Sequence, residues 1–318
     1  MGTASGQEAR GQVIVVVALL LAVVFVALAV ILNSAIYAEN LSTRETADSI
    51  EASGAVSEAA DDVEAAIRRV NADADRSHEV LGTNLTAIVD ARANASTDRH
   101  AVRGAAYSLS LVGTTNGTQI RQNTSRAFTN ETGSGSWNLT EDAENVRDFR
   151  LNVSRDTLEE TNESGLGADD PFYVYAHNGS GEWRAYVYRD DETGDVNVTV
   201  EADGEIQRTC RVADVETARI DLTAGTLEGT PCETLALSEW KEDEWEAVGY
   251  RNVDAGEENV TGTYGLVVRD ATIPDGYAEA PDSPFTADAI YDAEIEVAYV
   301  RSDITHNRTV RVVPGAEA

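Results

Sequence analysis

Lysine is all but missing from this chain: Lys241 is the single one among 24 basic residues, and 56 acidic residues leave a formal charge of −32. That sign excludes a nucleic-acid binder, because phosphate recognition needs a basic surface. Histidine is also scarce. His78, His100, His177 and His306 are scattered, with no H-E-x-x-H and no partner at metal-ligand spacing, so no metal site is expected. No P-loop or G-x-S-x-G occurs, and Gly165-x-Gly167 lacks the third glycine and the preceding strand of a dinucleotide loop. The chain is therefore not expected to be an enzyme or to carry a cofactor. Cysteine appears twice, at Cys210 and Cys232, without a C-x-x-C partner or a nearby histidine, which excludes zinc. In an oxidising exterior the pair reads as one disulfide worth about 3 kcal/mol; two free thiols are the other reading.

Long hydrophobic runs are absent with one exception, Val13 to Leu32, twenty consecutive apolar residues with no charge. As a helix at about 1.5 Å per residue it covers a hydrocarbon core of about 30 Å. It is longer than the apolar region of an ordinary secretory signal, roughly 7–15 residues, and Ala35 and Ala38 have Asn33 and Ile36 at their minus-three positions, so no A-x-A cleavage site follows. Arg10 precedes the run, whereas Glu39, Glu45, Asp48 and Glu51 follow it with Arg44 among them. The positive-inside bias then places the N-terminus in the cytoplasm and the body outside a cell membrane crossed once.

On the near flank stands Arg10-Gly11-Gln12-Val13, a basic residue and a glycine immediately before the apolar helix. This resembles the prepilin-type, or class III, signal of archaeal pilins and archaellins. The resemblance covers the first forty or so residues and implies cleavage between Gly11 and Gln12, leaving the hydrophobic helix at the mature N-terminus. Five residues into that mature chain stands Val16, where bacterial type IV pilins often carry glutamate. The composition in turn looks haloarchaeal: molar salt shortens the Debye length to about 3 Å and removes most of the self-repulsion of an acidic, lysine-poor chain whose cation is arginine. Disorder is excluded by 42 % hydrophobic content and by clear β patterning.

An exported body is supported by its sequons. Asn40, Asn84, Asn94, Asn116, Asn123, Asn130, Asn138, Asn152, Asn162, Asn178, Asn197, Asn259 and Asn307 all begin N-x-S/T, thirteen of seventeen asparagines, where the serine and threonine content alone would supply about two or three. N-glycosylation needs an exposed position in an exported protein, and Asn152 and Asn197 fall on the wet phase of their expected strands.

The chain divides into a leader at 1–11, a transmembrane helix at 12–37, an amphipathic helical stalk at 38–98, a sequon-rich connector at 99–170 and a β-rich extracellular domain at 171–318. In the stalk, Val56, Ala60, Val63, Ile67, Val70, Ala74, Leu81 and Ile88 form an a/d stripe with a gap at Ser77. The helix is either continuous with the transmembrane segment or broken near Gly54 and Gly82, and its stripe packs either on the downstream domain or on other copies. From Pro171 onward, Phe172–Ala176 and Trp183–Arg189 flank the turn Asn178-Gly179-Ser180-Gly181 as a hairpin. Val196, Val198 and Val200 alternate with polar residues, Tyr291 to Tyr299 give a strand with one dry and one wet face, and Val310 and Val312 mark the last. Asp190 to Asp195 reads as a solvated turn rather than a calcium loop, and Trp240 and Trp245 as core or sheet-covering residues rather than a stacking surface for sugars or a partner.

The expectation is an α+β chain: an N-terminal transmembrane helix, a helical stalk and a mainly antiparallel β-sandwich-like domain. Its work would be structural, as a glycosylated pilin-like surface protein whose partners are the lipid bilayer and other pilin-like subunits or envelope proteins. An anchored receptor-like module is the alternative.

Overall fold

The computed structural model describes residues 5–315 apart from 74, 167–170, 180, 238–243, 255, 257 and 303, with backbone alone at 5–16, 18 and 34–48. Two helices open the chain, α1 (Ser5–Val70) and α2 (His78–Val102). The first runs straight through Gly54, and Gly82 lies inside the second. The break falls instead at 71–77, where the helix turns back on itself. Gly54 and Gly82 each have open space around them, so neither imposes a bend.

Among the described residues fifteen strands follow. One sheet has the order β11 (Thr230–Pro231), β10 (Thr226–Leu227), β9 (Thr217–Asp221), β3 (Asn145–Ser154), β13 (Thr261–Arg269), β1 (Ala106–Ala127), β14 (Phe285–Arg301), β15 (Ile304–Val312). The other has the order β2 (Trp137–Ala143), β12 (Trp245–Arg251), β5 (Tyr173–His177), β6 (Glu182–Asp190), β7 (Val196–Ala202), β8 (Glu205–Val212), with β4 (Glu160–Thr161) parallel to β6. Every other pairing between these strands is antiparallel, so the body is a mainly antiparallel, β-sandwich-like domain with helices on one part of it.

Two cores result. Between the sheets, Phe149, Leu151, Val174, Trp183, Val187, Val198, Val248, Tyr264 and Leu266 close the sandwich. On the other part of the first sheet, α1 and α2 lay Ala52, Val56, Val63, Ile67, Leu81, Leu85 and Val89 against Tyr107, Leu109, Ile295, Val297 and Tyr299. The a/d stripe is thus spent on the protein's own domain: Val56, Val63, Ile67, Val70 and Leu81 are buried, and Ala60 and Ile88 pack at its margin. Ala74 lies outside the described residues. Each buried aliphatic side chain contributes about 1.5–3 kcal/mol, so this half of α1 is held by tertiary packing rather than by helix propensity.

Three expectations need correction. The span 99–170 is not a connector but supplies β1 and β3, interior strands of the first sheet, and β2, an edge strand of the second. Its Thr, Asn and Ser residues are tolerated because strand pairing satisfies the backbone while Ile120, Phe149 and Leu151 fill the core. The β-rich domain therefore begins near residue 106 rather than at 171. The dry phase of β14 also shifts: Thr115 pairs with Asp292 but Asn116 pairs with Ile290, and this bulge moves Tyr291 into a small cluster with Val267 and Ala289. Of the remaining strand assignments, the hairpin of β5 and β6 has Tyr175 opposite Arg184, and Val312 closes β15 against Ala293.

The disulfide Cys210–Cys232 is present, with Cα atoms 6.2 Å apart. It ties β8, an edge of one sheet, to the segment just after β11, an edge of the other.

Candidate membrane anchor and glycan-bearing surface

Within α1 the packing changes abruptly near Glu51. From Ala52 onward one face is buried, and Arg301 on β14 donates to Glu51 at 2.8 Å where the helix leaves the domain. Before that point every side chain among the described residues, at 17, 19–33 and 49–50, is exposed. Val17 and Leu19 to Leu32 are exposed on every side, with the large side chains 48–66 % accessible. Among the described residues no helix is long and apolar enough to cross a membrane. The side chains of 13–16 and 18 lie outside those residues, and so do those of Gly11–Gln12 and Asn40.

The sequons separate by geometry. Asn84 and Asn94 stand exposed on α2, Asn116 on β1 and Asn259 before β13, with no side-chain hydrogen bond among the described residues. Asn123 and Asn307 are exposed too, but Asn123 accepts from Ser283 Oγ at 2.8 Å and Asn307 donates to Glu296 at 3.0 Å. Asn130, Asn138, Asn152, Asn162 and Asn178 are half-buried. Both ends of the Asn138 amide are engaged: it donates to Glu141 Oε1 at 2.7 Å and accepts from Arg251 Nη2 at 2.9 Å and from the Tyr175 hydroxyl. The Arg251 guanidinium lies 4.1 Å from the Tyr175 ring centroid, closing that cluster.

Asn197 departs from its expected wet phase and is only 7 % exposed. The cause is a strap, residues 155–165, that passes through the core between the sheets at Leu158, pairs beside β6 as β4, and then crosses at 162–165 onto the outer face of β6, β7 and β8. Arg155 Nε donates to the Gly194 carbonyl at 2.8 Å, Asn162 to Asp191 at 2.9 Å, and Thr209 to Glu163 at 2.7 Å, while Glu160 pairs with Arg189. Beneath it Tyr188 shares a hydrogen bond with Thr199, and Asn197 donates to Asp190 at 3.2 Å. No period-2 pattern on β7 alone could reveal a cover supplied from forty residues away.

The other singled-out residues have structural surroundings. His78 bonds the Gly117 carbonyl at 2.9 Å and pairs with Asp288, His177 lies beside Glu246, and His306 is on β15 opposite Tyr299. His100 is stacked on Tyr107 at 4.8 Å and edge-on to Tyr299, and burial holds its pKa below the usual value. Asp190 caps its own turn, accepting from the Thr193 amide and hydroxyl at 2.8 Å; those bonds hold its carboxyl below the usual range. Trp245 is buried in the sandwich core, and Trp240 lies outside the described residues. Among the described residues no three His, Cys, Asp or Glu side chains gather in a metal-holding group.

Sequence reasoning missed the joint between helix and sheet. Asn71, 7 % exposed, donates through Nδ2 to the Ile290 carbonyl at 2.8 Å and accepts from the Ile290 amide at 2.9 Å. Arg147, buried under the Tyr291 ring, donates to the same carbonyl at 2.8 Å. A lone asparagine and arginine carry no motif. Compared with models of known families and with curated proteins, the chain matches none.

Proposed function

We propose that this chain is an exported, membrane-anchored, N-glycosylated surface protein of pilin-like plan, structural rather than catalytic. One observation carries the proposal. Among the described residues, Val17 and Leu19 to Leu32 are exposed apolar side chains, on the same helix whose second half is locked into the folded body. An uncovered apolar rod of this kind is unstable in water and stable in lipid. Support for export comes from the sequon excess, the exposed sequons on α2 and β1, and the cross-sheet disulfide, which belongs to an oxidising compartment.

The test is fractionation of cells making the full chain, followed by peptide mass mapping. The expected protein stays with membranes through an alkaline wash, loses its body to protease added outside intact cells, and begins at Gln12. It carries glycan on Asn84, Asn94, Asn116 or Asn259 and none on the strap-covered Asn197. Recovery of an unglycosylated protein starting at Met1 in the soluble cytosol would overturn the proposal.

A further inference from the structure

A cleft of about 270 Å³ opens where the end of α1 meets the first sheet, lined by Arg68, Asn71, Gln119, Arg121, Asp148, Arg150 and the strand Gly265–Val267. Its floor is a single cross-strand row. Arg121 on β1 pairs with Gly265 on β13, and Gly265 pairs with Arg150 on β3. With strands about 4.8 Å apart, the two arginines rise from backbones about 10 Å apart, with a residue lacking a side chain between them. Neither conformation nor space demands that glycine. Its φ lies outside the left-handed region, and a Cβ there would meet only Arg121 Cγ and the Ile120 carbonyl at 3.9 Å, an ordinary contact. What the glycine provides is the opening.

The charges around it do not close. Asp148, turned inward at a bulge with φ 53°, serves Arg68 at 2.5 Å, Arg150 at 3.2 Å and Arg147 as well. Arg68 also holds Glu64 at 2.9 Å, and Arg150 holds Asp221 at 2.6 Å. Arg121 pairs with no carboxylate among the described residues; its one polar contact there is the Ala72 carbonyl at 3.5 Å. Four guanidiniums thus meet three carboxylates, in a protein whose acidic residues outnumber its basic ones more than two to one. Burial pushes the Arg121 guanidinium below its usual range, and the charge of Asp148 offsets part of that. The cleft lies at the small end of ligand pockets, so its occupant is a single small group.

We infer that the Arg121–Gly265–Arg150 row is an anion site that takes one carboxylate group, held by the fork of Arg121 and the remaining donors of Arg150. A planar carboxylate matches the guanidinium fork bidentately, which spherical chloride does not. The carboxylate comes from a free small acid or from an acidic side chain of a second copy.

The test is thermal unfolding of the full chain in mild detergent at about 2 M KCl, which screens nonspecific attraction. Sodium acetate is titrated in, and separately the protein concentration is raised without acetate. The expected result for a free acid is a saturable rise in Tm of about 2–4 °C with acetate. A second copy as the source gives instead a Tm that climbs with protein concentration and an acetate response that shrinks as it does. Gly265→Glu, which sets a carboxylate between the two arginines, melts higher than the wild type and responds to neither. Arg121→Gln keeps a cooperative transition and loses the response, and Gly265→Leu does so by filling the floor. A wild-type Tm indifferent to both titrations overturns the inference, as does an acetate response retained in full by Arg121→Gln.

Discussion

Replacing Asn71 with alanine should unfasten the helical layer from the sheet. The register of β14 with β15 ends at Ala293, so Ile290 lies three residues beyond the last pair, and the Asn71 amide supplies the donor and acceptor that a neighbouring strand would have provided. In Asn71→Ala the Ile290 carbonyl keeps Arg147 at 2.8 Å, but the Ile290 amide is left buried without its acceptor. A stranded buried donor costs about 1–3 kcal/mol, and the second lost bond adds about 0.5–1.5 kcal/mol. The sum is about 2–4 kcal/mol, which at about 2–3 °C per kcal/mol is a fall in Tm of about 4–12 °C for a body of this size. Denaturant unfolding of the detergent-solubilised chain at high salt measures it directly, with an unchanged slope expected because the same surface is exposed. A loss under about 0.5 kcal/mol, the range of an ordinary surface substitution, would show that Ile290 finds its partners elsewhere and that Asn71 is not the joint.

How much of this could be read from the sequence depended on how local the cause was. The a/d stripe from Val56 to Val70 and the alternation from Ala293 to Tyr299 are set by periodicity, and the two meet face to face. The β5–β6 hairpin is set by the turn chemistry around Gly179, whose φ of 72° a side chain would resist. Wherever the cause lay far along the chain, the reading failed. Nothing local in the Thr- and Asn-rich stretch around Asn116 shows that β13 and β14 will flank it, and that pairing is what makes β1 an interior strand of the first sheet. Asn197 alternates with valines as an outward residue should, yet the strap crosses that outward face at 162–165. The arginine row escaped notice for the same reason: Arg121, Arg150 and Gly265 are spread over 145 positions and become neighbours only through register.

Three further outcomes follow from the fold. Replacing Cys210 and Cys232 together with serine frees the two sheet edges and should cost about 3 kcal/mol in denaturant unfolding; a loss under about 1 kcal/mol would mean that the edges hold without the bridge. For His100, burial lowers the folded pKa and the Glu58 charge offsets part of the shift. The unfolded chain protonates near pH 6.5 while the folded one resists, so stability is fully present above about pH 6.5 and is lost as pH falls toward the folded value. His100→Phe should flatten that slope, and an unaltered slope would assign it elsewhere. The two cores, finally, should melt as one. β1 carries Tyr107 and Leu109 into the helix-packed core and Ile120 into the sandwich core, so neither core can be lost without fraying the strand they share. Ile295→Ala touches only the helix-packed core and should cost about 2–5 kcal/mol. Trp137, Trp183 and Trp245 all report from the sandwich core, while far-ultraviolet circular dichroism at 222 nm is dominated by the helices. Both signals should fall together and at the same lowered temperature in Ile295→Ala. If the helical signal were lost first while tryptophan emission held its wild-type midpoint, β1 would be bridging two independent units, and the helical layer would be joined to the sandwich by a strand rather than built into one body with it.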